Sequence, residues 1–462
     1  MVEASWASKY TSRAPTEASP QKRVLPGGVS LIVHEDHTDE LVAVHIWIAA
    51  GSRDETDDIR GTSHFIEHLV FKGTAARGPG QIDRELDALG AENNALTSYD
   101  FTAYTVIGPS SAFSAMLEVQ VDMVLNPAFD PIELEKEREI ILEEIRQEED
   151  IPQSVQWDML TDMAYPNHPY RLPIIGTVAS IKEIPRKSIV EYHRTMYVPA
   201  NITVVVTGDV REDAVAKEVE KAFSQCVSFA PPSRKVVLEM SNQNQRRQAK
   251  EMDVTRSYLA LGYPGVSASE RDFFALEVAA AFLGQGPGSY LVHRLKDELA
   301  LVDSIECQNW APRSRGLIII EAVMPPENLE AVEMALIREL EAVKSMTPGE
   351  NEFKRARAVA LAHHLFQTET YDQKAEMIGA LDNAASLQVF DKYNDHLRSV
   401  TSADLERVFK KYLTLDNDSI AIIKPAKAGF EPVKAGFEPA ITDFKPAKSG
   451  SKPPETGGEE SR

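Results

Sequence analysis

Two spacings of apolar residues alternate along this chain, and the places where one gives way to the other divide it into elements. VSLIVHEDHTDELVAVHIWIAAGS, beginning at Val29, is rich in β-branched residues and predicts two strands ending near Gly51. A segment with helical spacing follows at 61–72, and QIDRELDALGAE predicts a second helix broken at Gly90. NNALTSYDFTAYTVI reads as strands again. A long helix starts at Asp130-Pro131, with Asp130 at the N-cap, Pro131 at N1 and Glu133 at N3, and ITVVVTGDV at 202–210 is a further strand.

Around 228–250 the composition turns to Pro, Ser, Gln and Arg, as in a linker, and then a similar order returns. YLALGYPG predicts a strand, ERDFFALEVAAAFLG a helix, QGPG a break and SYLVHRLKDELA another helix. The strand GLIIIEAVM, a helix near 326–345, longer helices to about 413 and the strand SIAIIK complete the block. From 426 the chain is of low complexity, with KAGFEP at 427–432 and again at 434–439. The pattern therefore predicts a polar segment at 1–22, a domain at 23–230, a linker at 231–250, a similar second domain at 251–425 and a disordered tail at 426–462.

Composition narrows the setting. With 43% hydrophobic and 26% charged residues the chain has the make-up of a soluble globular protein, and no apolar run is long enough to cross a bilayer. Its net charge of −22 argues against nucleic acid or an anionic membrane as partner. A basic polypeptide or partner protein would suit it, and solubility alone would also explain it. Cys226 and Cys307 form no CxxC motif and leave the compartment open. The polar N-terminus lacks the apolar core of a signal peptide; a periplasmic chain whose signal has been removed is the expectation, with the cytoplasm as alternative.

The candidate chemistry lies in GTSHFIEHLVFKGT, 61–74. On a helix opened by Gly61-Thr62 and closed by Gly73, His64 and His68 are one turn apart on one face and can reach a single ion. Glu67 lies beside them, placed to hold a water without being a ligand. The alternative is two core histidines bonded to backbone carbonyls, but an apolar helix carrying three such groups needs partners for them, and a zinc ion would supply one. A catalytic zinc takes three protein ligands. In PIELEKEREIILEEIRQEE, Glu135, Glu139 and Glu143 form a solvated face, whereas Glu144 and Glu137 fall among isoleucines and break the pattern. Glu144 is the expected third ligand, and Glu137 an auxiliary carboxylate grouped with Glu67 in the catalytic apparatus.

HFIEH is the HxxEH motif of the inverzincins, and its spacing to ILEEI resembles that of the pitrilysin and mitochondrial-processing-peptidase family. AGSRDE at 50–55, FKGT, NALTSYDFTAY at 94–104, HPYRLPIIGT at 168–177 and YVPANITVVVTGDV at 197–210 extend the resemblance over about 23–425. It implies an α+β fold of two homologous α/β units, each a mainly antiparallel sheet flanked by helices, together forming half of a clamshell. It also implies a zinc endopeptidase with one Zn2+ per chain held by His64, His68 and Glu144, and with Glu67 as general base toward an activated water. Asn94, Ala95, Leu96, Thr97 and Ser98 would form the edge strand on which an extended peptide lies.

One departure stands out. Active members carry an arginine and, about a dozen residues on, a tyrosine in the second half; GPGSYLVHRLKDELALVDSI has Tyr290 and Asp303 at those places, with Arg294 a turn away. An aspartate cannot donate as a phenol does. The expectation is a heterodimer in which a homologous subunit supplies the Arg/Tyr pair. The alternatives are a homodimer using Arg294 or another donor, and a non-catalytic scaffold like those relatives that serve as core subunits of respiratory complexes.

Overall fold

In a computed structural model, residues 19–226, 245–414 and 418–426 are described. The first half builds a six-stranded sheet from β1 (Gln21–Val24), β2 (Ser30–Glu35), β3 (Leu41–Ile48), β4 (Glu92–Thr97), β5 (Thr102–Pro109) and β6 (Ile202–Gly208). The second half builds a five-stranded sheet from β7 (Arg246–Met252), β8 (Ser257–Pro264), β9 (Ser304–Trp310), β10 (Leu317–Met324) and β11 (Ser419–Pro425). Their orders are β1-β2-β6-β3-β5-β4 and β7-β11-β8-β10-β9. Leaving β1 aside, the two are the same arrangement. Each has one parallel pair, β2 with β6 and β7 with β11, and is otherwise antiparallel.

The strands are apolar on both faces because both faces are covered. Val42, Val44, Ile46 and Ile48 of β3 enter one core with Phe65, Ile66, Leu69 and Val70 of the helix Thr62–Val70, termed the motif helix below. The alternate residues Ala43 and Trp47 face a different helix, Tyr371–Ala384, which belongs to the second half. That contact is close: a Cβ on Gly379 would lie 2.0 Å from Trp47 Cε2. His45 Nε2 meets Asp372 Oδ1 at 2.8 Å across the same seam. The exchange is reciprocal. The helix Pro152–Ala164, from the first half, lays Leu160 and Met163 on Ala260, Leu317, Ile319 and Ala421 of the second sheet. The described residues thus form one compact unit.

Three expectations shift. The strand β7 begins inside the anticipated linker 231–250; residues 231–244 lie outside the described residues. Its sequence RRQAKEM hides it, since an edge strand paired only with β11 can keep polar side chains in water. Gln21 and Lys22, assigned to the polar leader, pair with Val33 and Ile32 in β1. Ile140 of the long helix Pro131–Asp150 is 50% exposed, so the buried stripe is Leu134, Glu137, Arg138, Ile141, Leu142 and Ile145. Glu144 consequently sits at the rim of that stripe. The N-cap reads as expected, with Asp130 accepting from the N–H groups of Ile132 and Glu133. The KAGFEP repeats lie outside the described residues.

Candidate active site

The motif helix starts at Thr62 because Gly61, at φ +88°, turns the chain in a conformation other residues avoid. Its apolar side is locked into the sheet, which leaves His64, Glu67 and His68 on the side facing β4 and the acidic helix Pro131–Asp150. His64 Nε2 and His68 Nε2 lie 3.9 Å and 3.6 Å from Glu144 Oε2. These three residues are the one cluster of His, Cys, Asp and Glu among the described residues whose ligand atoms converge, all within 4.8 Å of one another. Donors about 2.1 Å from a tetrahedral ion sit roughly 3.4 Å apart, so the trio needs little adjustment to hold one.

The surroundings fit a metal as well as the donors do. His68 Nδ1 donates to Glu137 Oε2 at 3.1 Å, and Lys72 Nζ meets the other oxygen of that carboxylate at 3.0 Å. This aims His68 Nε2 at the trio. His64 Nδ1 is buried with no hydrogen-bond partner among the described residues, so only one of the two imidazoles is held from behind. Burial, reinforced by His68, pushes His64 down to about 4, which favours its neutral form. Burial works against His68 too, but Glu137 and Glu144 outweigh it and raise His68 to about 9, so a metal held there displaces a proton from this ring. Ionic contact with His68 keeps Glu144 below the usual carboxylate range.

Glu67 stands apart from the trio. Thr97 Oγ1 donates to its Oε2, and burial raises its pKa against that hydrogen bond. Asn94, Ala95, Leu96 and Thr97 lie on β4, which among the described residues pairs with β5 alone and ends the sheet. Ser98 does not belong to the strand. Its N–H closes a turn onto Phe101 O at 2.8 Å and its carbonyl accepts from Ser52 N–H at 3.2 Å, so the edge ends at Thr97.

Several functional neighbours escape sequence reasoning. Beside the trio opens a cavity of about 440 Å³ lined by His64, Thr97, Tyr99, Glu144, Glu148, Trp157, Asp158, Ile174 and Ile175 among others. Burial and the charge of Glu148 push Asp158 up to about 6, and burial and Glu144 raise Glu148. Glu148 is four residues from Glu144 on one helix face, and Lys72 four from His68, so helical spacing could have found both. The Thr97–Glu67 bond joins distant segments and carries no such signal.

The departures in the second half are accommodated structurally. Tyr290 OH donates to Glu339 Oε2 at 2.9 Å, Arg294 is engaged by Glu339 and Glu298, and Asp303 pairs with Arg256 at 2.8 Å.

Comparison with known proteins bears on this arrangement directly. The sequence profile of insulinase (peptidase family M16) matches residues 31–178, and that of the peptidase M16 inactive domain matches 183–359. The chain belongs to peptidase family M16. It is 26% identical over 401 residues to an uncharacterized zinc protease, YmxG, of Bacillus subtilis, covering 86% of this chain and 97% of that one. It is also 26% identical over 438 residues to a probable mitochondrial-processing peptidase subunit beta of Arabidopsis thaliana, covering 90% and 82%. Among solved structures, a protease from Helicobacter pylori superposes with a TM-score of 0.84 at 24% identity, covering 88% of this chain and all of that one. The insulinase profile thus falls on the segment that carries HxxEH, and the inactive-domain profile runs from the end of the first half into the second, which lacks the motif. Among the described residues, no helix of this M16 chain is long and apolar enough to cross a membrane.

Proposed function

We propose that the chain is the zinc-bearing subunit of an endopeptidase that cleaves extended peptides. The convergence of His64 Nε2, His68 Nε2 and Glu144 Oε2 beside a separately held Glu67 carries the proposal. His64, His68 and Glu144 would hold one zinc ion, which when bound supplies Lewis acidity and activates water. Glu67 takes the proton from the attacking water and passes it to the leaving amine, and Thr97 keeps the carboxylate turned toward the substrate. Glu137 acts through His68, orienting the ring and strengthening it as a donor. The free edge of β4 pairs with the peptide backbone through Asn94–Thr97. The carboxylates of Glu148 and Asp158 make the adjoining cavity a seat for a basic side chain, in keeping with the net charge of −22.

We further propose that a homologous subunit completes the site. The ties of Tyr290, Arg294 and Asp303 to partners within the second half support this, because each is already engaged away from a substrate carbonyl. So does the name of the Arabidopsis relative, a processing peptidase subunit. Peptide hydrolysis assayed with this chain alone, and after mixing with a homologue carrying the Arg/Tyr pair, tests it. Strong activity only in the mixture is the expected result; full activity alone would refute the complementation and favour a self-sufficient homodimer.

A further inference from the structure

The turn between β3 and the motif helix, Gly51–Glu55, grips both parts of the reacting geometry. Toward β4, Ser52 N–H donates to Ser98 O at 3.2 Å and Arg53 N–H to Tyr99 O at 3.0 Å. A Cβ on Gly51 would lie 2.3 Å from Ser98 O, so the approach is backbone to backbone. The Arg53 guanidinium donates to Asp100 Oδ1 at 2.6 Å and reaches Ser314 Oγ of the second half at 3.3 Å. Toward the motif helix, the Glu55 carboxylate, 7% exposed, accepts from Gly61 N–H at 2.7 Å and Ser63 N–H at 2.6 Å. Those are two of the donors a helix start leaves without intrahelical partners.

We infer that Gly51–Glu55 is a brace that sets the motif helix against the substrate strand, with Glu55 and Arg53 as positioning residues for the metal ligands and for β4. Ser63 immediately precedes His64, so the grip of Glu55 fixes the rotational phase at which His64 and His68 leave the helix. The strand end held by Arg53 follows Thr97, whose hydroxyl holds Glu67. The residues that make these grips, Ser52, Arg53 and Glu55, belong to one short continuous turn, so a shift of either element is passed to the other. A cap that served the helix alone would need no tie to β4. A strand contact that served β4 alone would need no buried carboxylate.

The inference rests on the zinc-site reading above. Its test is the zinc dissociation constant of the full chain, measured by competition with a chromogenic chelator, for wild type, Glu55→Gln and Arg53→Lys. Glu55→Gln keeps the shape but turns an amide N–H toward one of the two donors, and is expected to weaken zinc binding about tenfold or more, the usual effect of losing a group that orients a ligand. Arg53→Lys keeps the charge but loses the guanidinium Nη1 that reaches Asp100, Tyr170 and Ser314 together. Among the described residues its side-chain hydrogen bonds go to Asp100, Tyr170 and Ser314, none of them on the motif helix, so a measurable weakening of zinc binding there is the signature of coupling through the brace. Circular dichroism reports folding, and if Glu55→Gln does not fold, Arg53→Lys carries the test alone. Wild-type affinity in a folded Arg53→Lys chain would overturn the brace, whatever its thermal stability. A wild-type chain that takes up no zinc would refute the proposed function instead.

Discussion

The two halves of this molecule are the same scaffold with different contents. In the first, the helix between β3 and β4 carries His64, Glu67 and His68, and the long helix after β5 brings Glu144 to them. In the second, the helix Phe273–Gly284 occupies the corresponding place between β8 and β9, against Glu350–Phe366. Its sequence is FFALEVAAAFLG, and its single charged residue, Glu277, accepts from Asn309 at 2.7 Å and is pushed up to about 7 by burial. A groove of about 800 Å³ still opens there, lined among others by Gly284, Cys307, Glu321 and His363. The cleft is therefore a property of the fold, while the proposed chemistry rests on four side chains. Where they are present, the helix keeps polar groups half-buried that a purely structural helix would replace with alanine.

The largest difference to probe is the proposed general base. Glu67→Gln is expected to cut peptide hydrolysis by the completed enzyme about 10²- to 10⁴-fold with zinc retained, whereas Glu277→Gln should leave the rate unchanged. Steady-state kinetics with parallel metal analysis separates the two. Next is Glu137→Gln, which leaves the three ligands intact but frees the His68 ring; zinc affinity should fall about 10- to 100-fold in chelator competition. A substitution in the shared frame should do the opposite. Gly379→Ala drives a methyl group into Trp47 and should cost about 1–3 kcal/mol in urea unfolding, with zinc affinity per folded chain unchanged.

The smallest effect concerns acid. Asp272 is desolvated, yet contacts with Lys411, Tyr412 and Arg407 bring it down to about 2, below its ordinary 3.8. A group whose folded pKa is depressed contributes stability above its unfolded pKa and loses it as pH falls through the folded value. The contribution, on the order of 1 kcal/mol after screening, is thus full above about pH 4 and gone near pH 2. Asp272→Asn should flatten that part of the stability profile, and unchanged acid sensitivity would show that the second half owes it to other groups.

Much of this was legible in the chain, for physical reasons that also mark the limits. The motif helix and Glu144 announce themselves because ligating residues at helical spacing, and a carboxylate beside an apolar stripe, violate local patterning. Pattern placed Ile140 in that stripe as well, but its side chain is half-exposed, since one residue of rotation decides a rim position. The strand β7 was hidden because an edge strand need not be apolar. Sequence periodicity identifies both faces of β3 as buried but cannot say that Trp47 meets a helix more than 300 residues on, because coverage of one half's sheet by the other half's helix is a long-range choice. The Glu55 and Thr97 contacts are of the same kind, joining segments whose proximity only the folded chain creates.

The central claim is that the first half, unlike the second, holds a metal. Metal analysis of the exhaustively dialysed full chain tests it most directly. The account predicts close to one zinc per wild-type chain, none in His64→Ala or Glu144→Ala, and an undiminished content in Glu277→Gln. A wild-type chain without zinc, or a Glu144→Ala chain that keeps it at full affinity, would contradict it.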